Sequence, residues 1–168
     1  MQFSISTSTT KNSQLFICTE KNQLTDENAQ LVFATLGDKD SFASANIPVS
    51  GCLKNIAVLR FADLKTETLQ KAAKDAAAWL AKQENASVNL NPFCEVDSPR
   101  VTEILVAAVG ESVYRFDYYK KEPNPAKLQQ LEFVHTKHSN EIQAALNQAQ
   151  ALLYGVNLCK DLGNTGSN

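Results

Sequence analysis

The sequence predicts an α/β fold: a three-layer α/β/α sandwich on a mostly parallel, mixed sheet. Three observations carry that prediction. Strand-like and helix-like periodicities alternate along the chain. Two strands come first, then helix, strand, helix, strand, helix, strand, helix, the order in which right-handed crossovers join parallel strands. Asn55–Phe61 is apolar on both of its alternating sets, Ile56 and Val58 against Ala57 and Leu59, as in a strand covered by helices on each side. From Ser139 or Asn140 to Leu162, apolar residues recur at i, i+3, i+4 and i+7 over about six turns, the mark of one long amphipathic helix.

A chain of 168 residues is one domain able to bury roughly 70% of its unfolded surface without disulfide or metal. Residues 1–163 are read as that domain. With 43% hydrophobic and 20% charged residues, 6 Gly and 5 Pro, disordered, fibrous and repeat classes are excluded. A net charge of -2 with no long Lys/Arg block argues against a standing attraction to nucleic acid or anionic membrane.

Taken in order, Gln2–Ser6 alternates with Phe3 and Ile5 on one face, and Leu15–Thr19 is a short apolar run. Both read as strands, expected to pair with each other. Thr25 before Asp26 and Glu27 opens a helix carrying Ala29, Val32, Phe33 and Leu36, which Gly37 ends. Asp38–Gly51, polar and small with Ile47-Pro48 inside it, reads as a surface loop. Asn55–Phe61 is expected at the middle of the sheet. Thr66–Lys82 then forms a helix with Leu69, Ala72, Ala73, Ala76, Trp79 and Leu80 on one stripe, Trp79 in the core. Ser87–Leu90 is a strand. Ser98-Pro99, a cap followed by a residue preset for the first turn, starts a helix to about Phe116 with Val101, Ile104, Leu105 and Ala108 inward. Two prolines make Lys120–Pro125 an exposed connection. Leu128–Val134 is the last strand, and Gly163 is expected to cap the final helix.

No catalytic, cofactor-binding or metal-binding residue is predicted. His135 and His138 are the only histidines. They sit at a strand–helix junction and read as solvated or capping groups, because a divalent site wants three or four converging ligands. Cys18, Cys52, Cys94 and Cys159 are 34, 42 and 65 positions apart, which fits neither a zinc or redox CxxC nor a disulfide framework, so they read as reduced thiols. Asp26, Glu27, Glu95, Asp97, Glu103 and Glu111 are scattered as cap and helix-face residues. No GxSxG or HExxH is present. Ala62-Asp63-Leu64-Lys65 offers no glycine where a phosphate-cradling turn would need close backbone approach. Phe116–Lys120 mixes aromatics with charge and reads as a helix end packed under a loop.

Several strings resemble one family. Met1-Gln2-Phe3-Ser4-Ile5, Tyr114-Arg115-Phe116-Asp117 followed by Leu131–Val134, and above all Gly155–Asn164 with its "KDLGN" are similar to the N-terminal domain of the leucyl aminopeptidases of peptidase family M17. The likeness covers the whole chain but only that domain of the family, and places residues 164–168 at the start of an interdomain junction. The sandwich it implies is macro-domain-like, although the glycine-bearing turn that many members carry after the central strand is absent. Thr165-Gly166-Ser167-Asn168 also places a glycine where the family has proline.

What the resemblance implies is a protein whose complete form removes N-terminal residues, leucine among others, from peptides. Two divalent metals, zinc or manganese, would polarise the carbonyl and supply hydroxide from a C-terminal catalytic domain. The family's metal ligands and catalytic segment would lie past Asn168. Implied partners are that catalytic domain and a homo-hexamer with the N-terminal domains at its outer corners, where they serve assembly and access. Peptide substrate would meet only the catalytic domain. A small-ligand or DNA-binding module is the alternative, with DNA the weaker of the two on charge. No apolar run reaches the length of a membrane span, and Met1-Gln2-Phe3-Ser4 is not a secretory signal. The expected location is the cytoplasm, with no membrane partner.

Overall fold

A computed structural model of the chain describes residues 1–9, 11–93, 97–117, 119, 121–122, 125–137 and 140–165. Six strands and four helices follow one another as β1 (Gln2–Ser6), β2 (Ser13–Cys18), α1 (Glu27–Phe33), β3 (Phe42–Val49), β4 (Cys52–Arg60), α2 (Thr66–Leu80), β5 (Asn85–Asn89), α3 (Ser98–Val113), β6 (Gln130–Val134) and α4 (Asn140–Thr165). The sheet runs β1-β6-β5-β2-β4-β3. All pairs are parallel except the β3–β4 hairpin.

Successive residues of a strand point to opposite faces, and β2 shows both faces buried. Leu15 and Ile17 join a large core with Leu69, Leu80, Leu105, Phe133 and Ile142, beneath α2, α3 and α4. Phe16 and Cys18 join a smaller core with Ile56, Val58, Ala29 and Val32, beneath α1. The sandwich is therefore three-layered but uneven. The alanines of α2 let it lie close on the sheet, and its fully buried Leu69 and Leu80 each contribute about 2 kcal/mol.

The expected pairing of β1 with β2 is not found. β1 is an edge strand beside β6, and β2 lies between β5 and β4. Both faces of β2 are apolar, so it gains most in the interior, while β1 carries the polar Gln2, Ser4 and Ser6 on one face. β4 is interior but one place off the middle, which falls between β5 and β2.

The expected loop at Asp38–Gly51 contains β3, an antiparallel edge strand. Pro48 is tolerated there because an edge strand has one side without ladder partners. Val49 pairs with Cys52 across the two-residue turn Ser50-Gly51, both at positive φ, 50° and 82°, as in a type I′ turn. Serine in the left-handed region is strained. Ser50→Asn should stabilise the domain by about 0.5 kcal/mol, read as a rise in urea midpoint at unchanged slope. A fall in midpoint would contradict the turn assignment.

Behind the hairpin, Arg60 Nη2 lies 2.8 Å from the carbonyls of Gly37 and Asp38 and 2.6 Å from that of Asp40. Its guanidinium sits 5.9 Å from the Phe33 ring centroid, so one side chain ties the α1–β3 connection to β4. Helix starts differ slightly from expectation. Asp26, not Thr25, caps α1, its Oδ1 accepting from Ala29 N–H at 2.9 Å. Ser98 is the first residue of α3 rather than its cap, and Pro99 stands in the first turn as expected. Trp79 is half-buried at the core margin, tilted against Phe42 at 6.3 Å. α4 continues through Gly163 to Thr165, and Gly51 is the glycine with positive φ among the described residues, so no left-handed cap forms at Gly163.

Candidate interaction surface

His135 is buried rather than solvated. Its Nδ1 lies 2.6 Å from the Lys137 carbonyl and its backbone N–H donates to Ser6 O at 3.0 Å. The ring is committed to holding the end of β6. His138, Cys94, Glu95, Tyr118 and Lys120 lie outside the described residues. Asp26 and Glu27 serve the start of α1, Asp97 precedes α3, and Glu103 and Glu111 lie on α3. Among the described residues no three His, Cys, Asp or Glu side chains come together to hold a cation. In the turn after β4, Asp63 accepts from Lys65 N–H at 3.0 Å. The Thr68 hydroxyl first, then that amide, hold its carboxyl below the usual range. The turn thus prepares α2 rather than cradling a phosphate.

Cys18 is fully buried beside α1, and burial pushes its thiol up to about 12, with Arg60 opposing weakly. Raised in the fold, this group stabilises fully below its ordinary value of 9.0. The unfolded chain then loses the proton first, so stability falls as pH rises from about 9 toward 12. The same burial protects the sulfur. In a Cys94→Ser background, Cys52 and Cys159, both exposed, should react with a thiol reagent at once and Cys18 only on unfolding. Three equal, fast phases would be inconsistent with this packing.

The aromatic segment after α3 reaches across to α4. Tyr114 OH donates to Asp161 Oδ1 at 2.8 Å, Lys160 Nζ stands 4.9 Å over the Tyr114 ring, and Tyr119 OH donates to the Thr165 carbonyl at 3.2 Å. Desolvation, then Asp161, raises the Tyr114 hydroxyl pKa. Two strings that the sequence singled out, 114–117 and 155–164, therefore meet in space.

The helix they meet on is only half used. Ile142, Ala145, Leu146 and Ala149 are buried, whereas Leu152, Tyr154, Val156, Leu158 and Leu162 are 46 to 73% exposed. No charged side chain occurs between Glu141 and Lys160. A groove of about 510 Å³ runs between α3 and α4, with Ala107, Leu152, Leu153 and Val156 along it and Glu103, Glu111 and Lys160 at its edges. A helix apolar well beyond its buried stripe marks a contact surface. The periodicity was legible in the sequence. What it could not show was that the fully buried stripe ends near Ala149, so that beyond it Leu153 packs against Gly110 of α3 while Leu152, Val156, Leu158 and Leu162 stay exposed.

No family model matches the chain. A probable cytosol aminopeptidase of Neisseria meningitidis serogroup A is 38% identical to it over 156 residues, 93% of the chain. This chain is a relative of the cytosol aminopeptidases. A second probable cytosol aminopeptidase, from Alcanivorax borkumensis, is 41% identical over 104 residues, 61% of the chain. The chain spans about a third of the Neisseria cytosol aminopeptidase, and its match to the Alcanivorax protein takes in 19% of that one. Among solved structures, a mutant of tomato leucine aminopeptidase matches 93% of this chain and 36% of its own with a TM-score of 0.64 at 15% identity, which shows a shared fold. The mixed α/β sheet expected from the resemblance is thus the fold of this cytosol aminopeptidase relative. Among the described residues no helix is long and apolar enough to cross a membrane.

Proposed function

We propose that the chain is the non-catalytic N-terminal domain of a leucyl aminopeptidase, acting in the cytoplasm to assemble and shield a catalytic domain that removes N-terminal residues from peptides. The observation that carries this reading is a relative aligned over 93% of the chain and only 33% of its own length. The exposed apolar half of α4 supports it, because a helix apolar beyond its own core has surface to bury against a second body. In this reading the last turns of α4, held by Tyr114 and Tyr119, set the direction in which the catalytic domain lies, and Leu152, Leu158 and Leu162 pack against it. The reading includes the homo-hexamer that the resemblance implies.

The described residues do not fit the two divalent metals, zinc or manganese, of such an enzyme. His135 is occupied by a carbonyl, and the carboxylates of α1 and α3 do not converge. The metals and peptide belong to the catalytic domain, and no hydrolytic step is assigned here. The 168-residue chain, assayed with a leucyl chromogenic substrate and added Mn²⁺ or Zn²⁺, is expected to show no turnover above buffer. Metal-dependent turnover abolished by a chelator would overturn the reading.

A further inference from the structure

The free edge of β3 lacks the guards that sheets usually place there. Edge strands are commonly short or charged, which keeps a further strand from pairing with them. β3 is 8 residues long, and no charged side chain occurs between Asp40 and Lys54. Among the described residues no strand lies beyond it, and Ser44, Ala45 and Asn46 at its centre are exposed. The register fixes which backbone groups are left over. Hydrogen-bonded and open pairs alternate along an antiparallel ladder, Val49 and Cys52 close the two-residue turn, and the Ser41 carbonyl accepts from Arg60 N–H at 2.7 Å. Odd-numbered residues of β3 therefore turn their N–H and C=O toward β4, while Phe42, Ser44, Asn46 and Pro48 turn theirs outward. Proline stands at an outward position, where its missing N–H costs the pairing with β4 nothing.

Outward donors on Phe42, Ser44 and Asn46, spaced evenly about Ser44, complement an identical strand running the other way. We propose that β3 pairs antiparallel with β3 of a second copy about a two-fold axis at Ser44, joining two six-stranded sheets into one. Ser44 faces Ser44 and Phe42 faces Asn46, and each facing pair exchanges both bonds, so that every outward N–H finds a carbonyl. Pro48 then lies beyond the facing residues. Slid two positions one way, the proline ring, which fills the place of the N–H, would meet the Phe42 carbonyl. Slid the other way, Asn46 would face Asp40, whose N–H already donates to Gly37 O at 3.1 Å. An arbitrary extended segment would meet the same donors, but an identical strand brings an uncharged match at every facing position, and the small Ser44 and Ala45 let the backbones approach. β3 is the edge opposite β1, whose Phe3 shares a cavity wall with Leu153 of α4. The contact is therefore distinct from the α4 surface and independent of the role proposed for it.

The test is sedimentation velocity on the 168-residue chain, from micromolar to millimolar concentration. A monomer–dimer equilibrium is expected. In hydrogen exchange the amides of Phe42, Ser44 and Asn46 should gain protection as the dimer fills, while those of Ala43, Ala45 and Ile47 stay protected throughout. Ser44→Lys and Ser44→Glu should each weaken the dimer about tenfold or more, because each sets like charges directly opposite one another. Circular dichroism and the Tm at high dilution should not change at this exposed site. Mixed in equal amounts, the two variants should associate again, since a residue that faces its own copy then puts lysine against glutamate. A parent that stays monomeric to millimolar concentration would overturn the proposal, even if another extended chain can occupy the edge. So would a dimer that survives both substitutions, variants that do not associate on mixing, or a dimer abolished by Leu152→Lys, Leu158→Lys and Leu162→Lys together, which would assign it to α4.

Discussion

Gly110→Leu is expected to destabilise the domain by about 3 kcal/mol, measured by urea unfolding, because it overpacks the place where the Leu153 side chain of α4 rests directly on the backbone of α3. Gly110 is buried within α3. A Cβ placed there would lie 2.2 Å from Leu153 Cδ1, 2.6 Å from Cδ2 and 2.9 Å from Cγ. Even alanine must displace Leu153, so the gain of about 1 kcal/mol from replacing a mid-helix glycine is offset by the clash. Leucine adds three more carbons with nowhere to go except by prising α4 from α3. The cause can be isolated by trimming the other partner. Leu153→Ala should restore part of what Gly110→Leu removes, giving a coupling of about 1 to 2 kcal/mol in a double-mutant cycle. If Gly110→Leu melts like the parent, or Leu153→Ala fails to rescue it, the close crossing of these helices is wrong.

Gly110 also shows where the sequence is legible and where it is not. Val101 and Leu105 mark the inner face of α3 by spacing alone, whereas a glycine demanded by Leu153 on a later helix leaves no local trace. The same division runs through the fold. α2, α3 and the first half of α4 follow from period, since most residues on their apolar stripes enter the core, with Trp79, Ile104 and Ala108 half-buried at its margin. β3 leaves little trace in the sequence because its alternation is weak. Ala43, Ala45 and Ile47 face one way between Ser44, Asn46 and Pro48, and an edge strand needs only half-burial. The place of β1 beside β6 depends on residues 130–134, a pairing that propensity within Gln2–Ser6 cannot encode. Gly163 failed as a stop signal because a helix can carry a glycine at a cost of about 1 kcal/mol, and the last turn is held from outside, where the Tyr119 hydroxyl donates to the Thr165 carbonyl. For the candidate surface the stripe was readable. Its exposure was not, because burial depends on what the sheet is wide enough to cover.

That exposure makes the last prediction the most direct test of the assembly role. Leu152→Lys, Leu158→Lys and Leu162→Lys together should leave the isolated chain within about 0.5 kcal/mol of its parent stability, since these side chains are 46 to 66% exposed and lysine is a good helix former. Transplanted as residues 1–165 in place of the aligned third of the Neisseria cytosol aminopeptidase, the same triple change should act very differently. Burying three leucines against a second body is worth roughly 5 kcal/mol at about 1.5 to 3 kcal/mol each, and three lysines there would have to be desolvated as well. Assembly measured by light scattering should collapse, and leucyl hydrolysis should fall with the assembled fraction, while the assembled remainder keeps the parent turnover. A matched control, Glu27→Lys on α1 under the opposite face of the sheet, should change neither. Normal assembly of the triple variant would mean that the apolar half of α4 is not what joins this domain to the rest of the enzyme. A drop in turnover at full assembly would instead place α4 near the reacting peptide, against the reading that peptide meets only the catalytic domain.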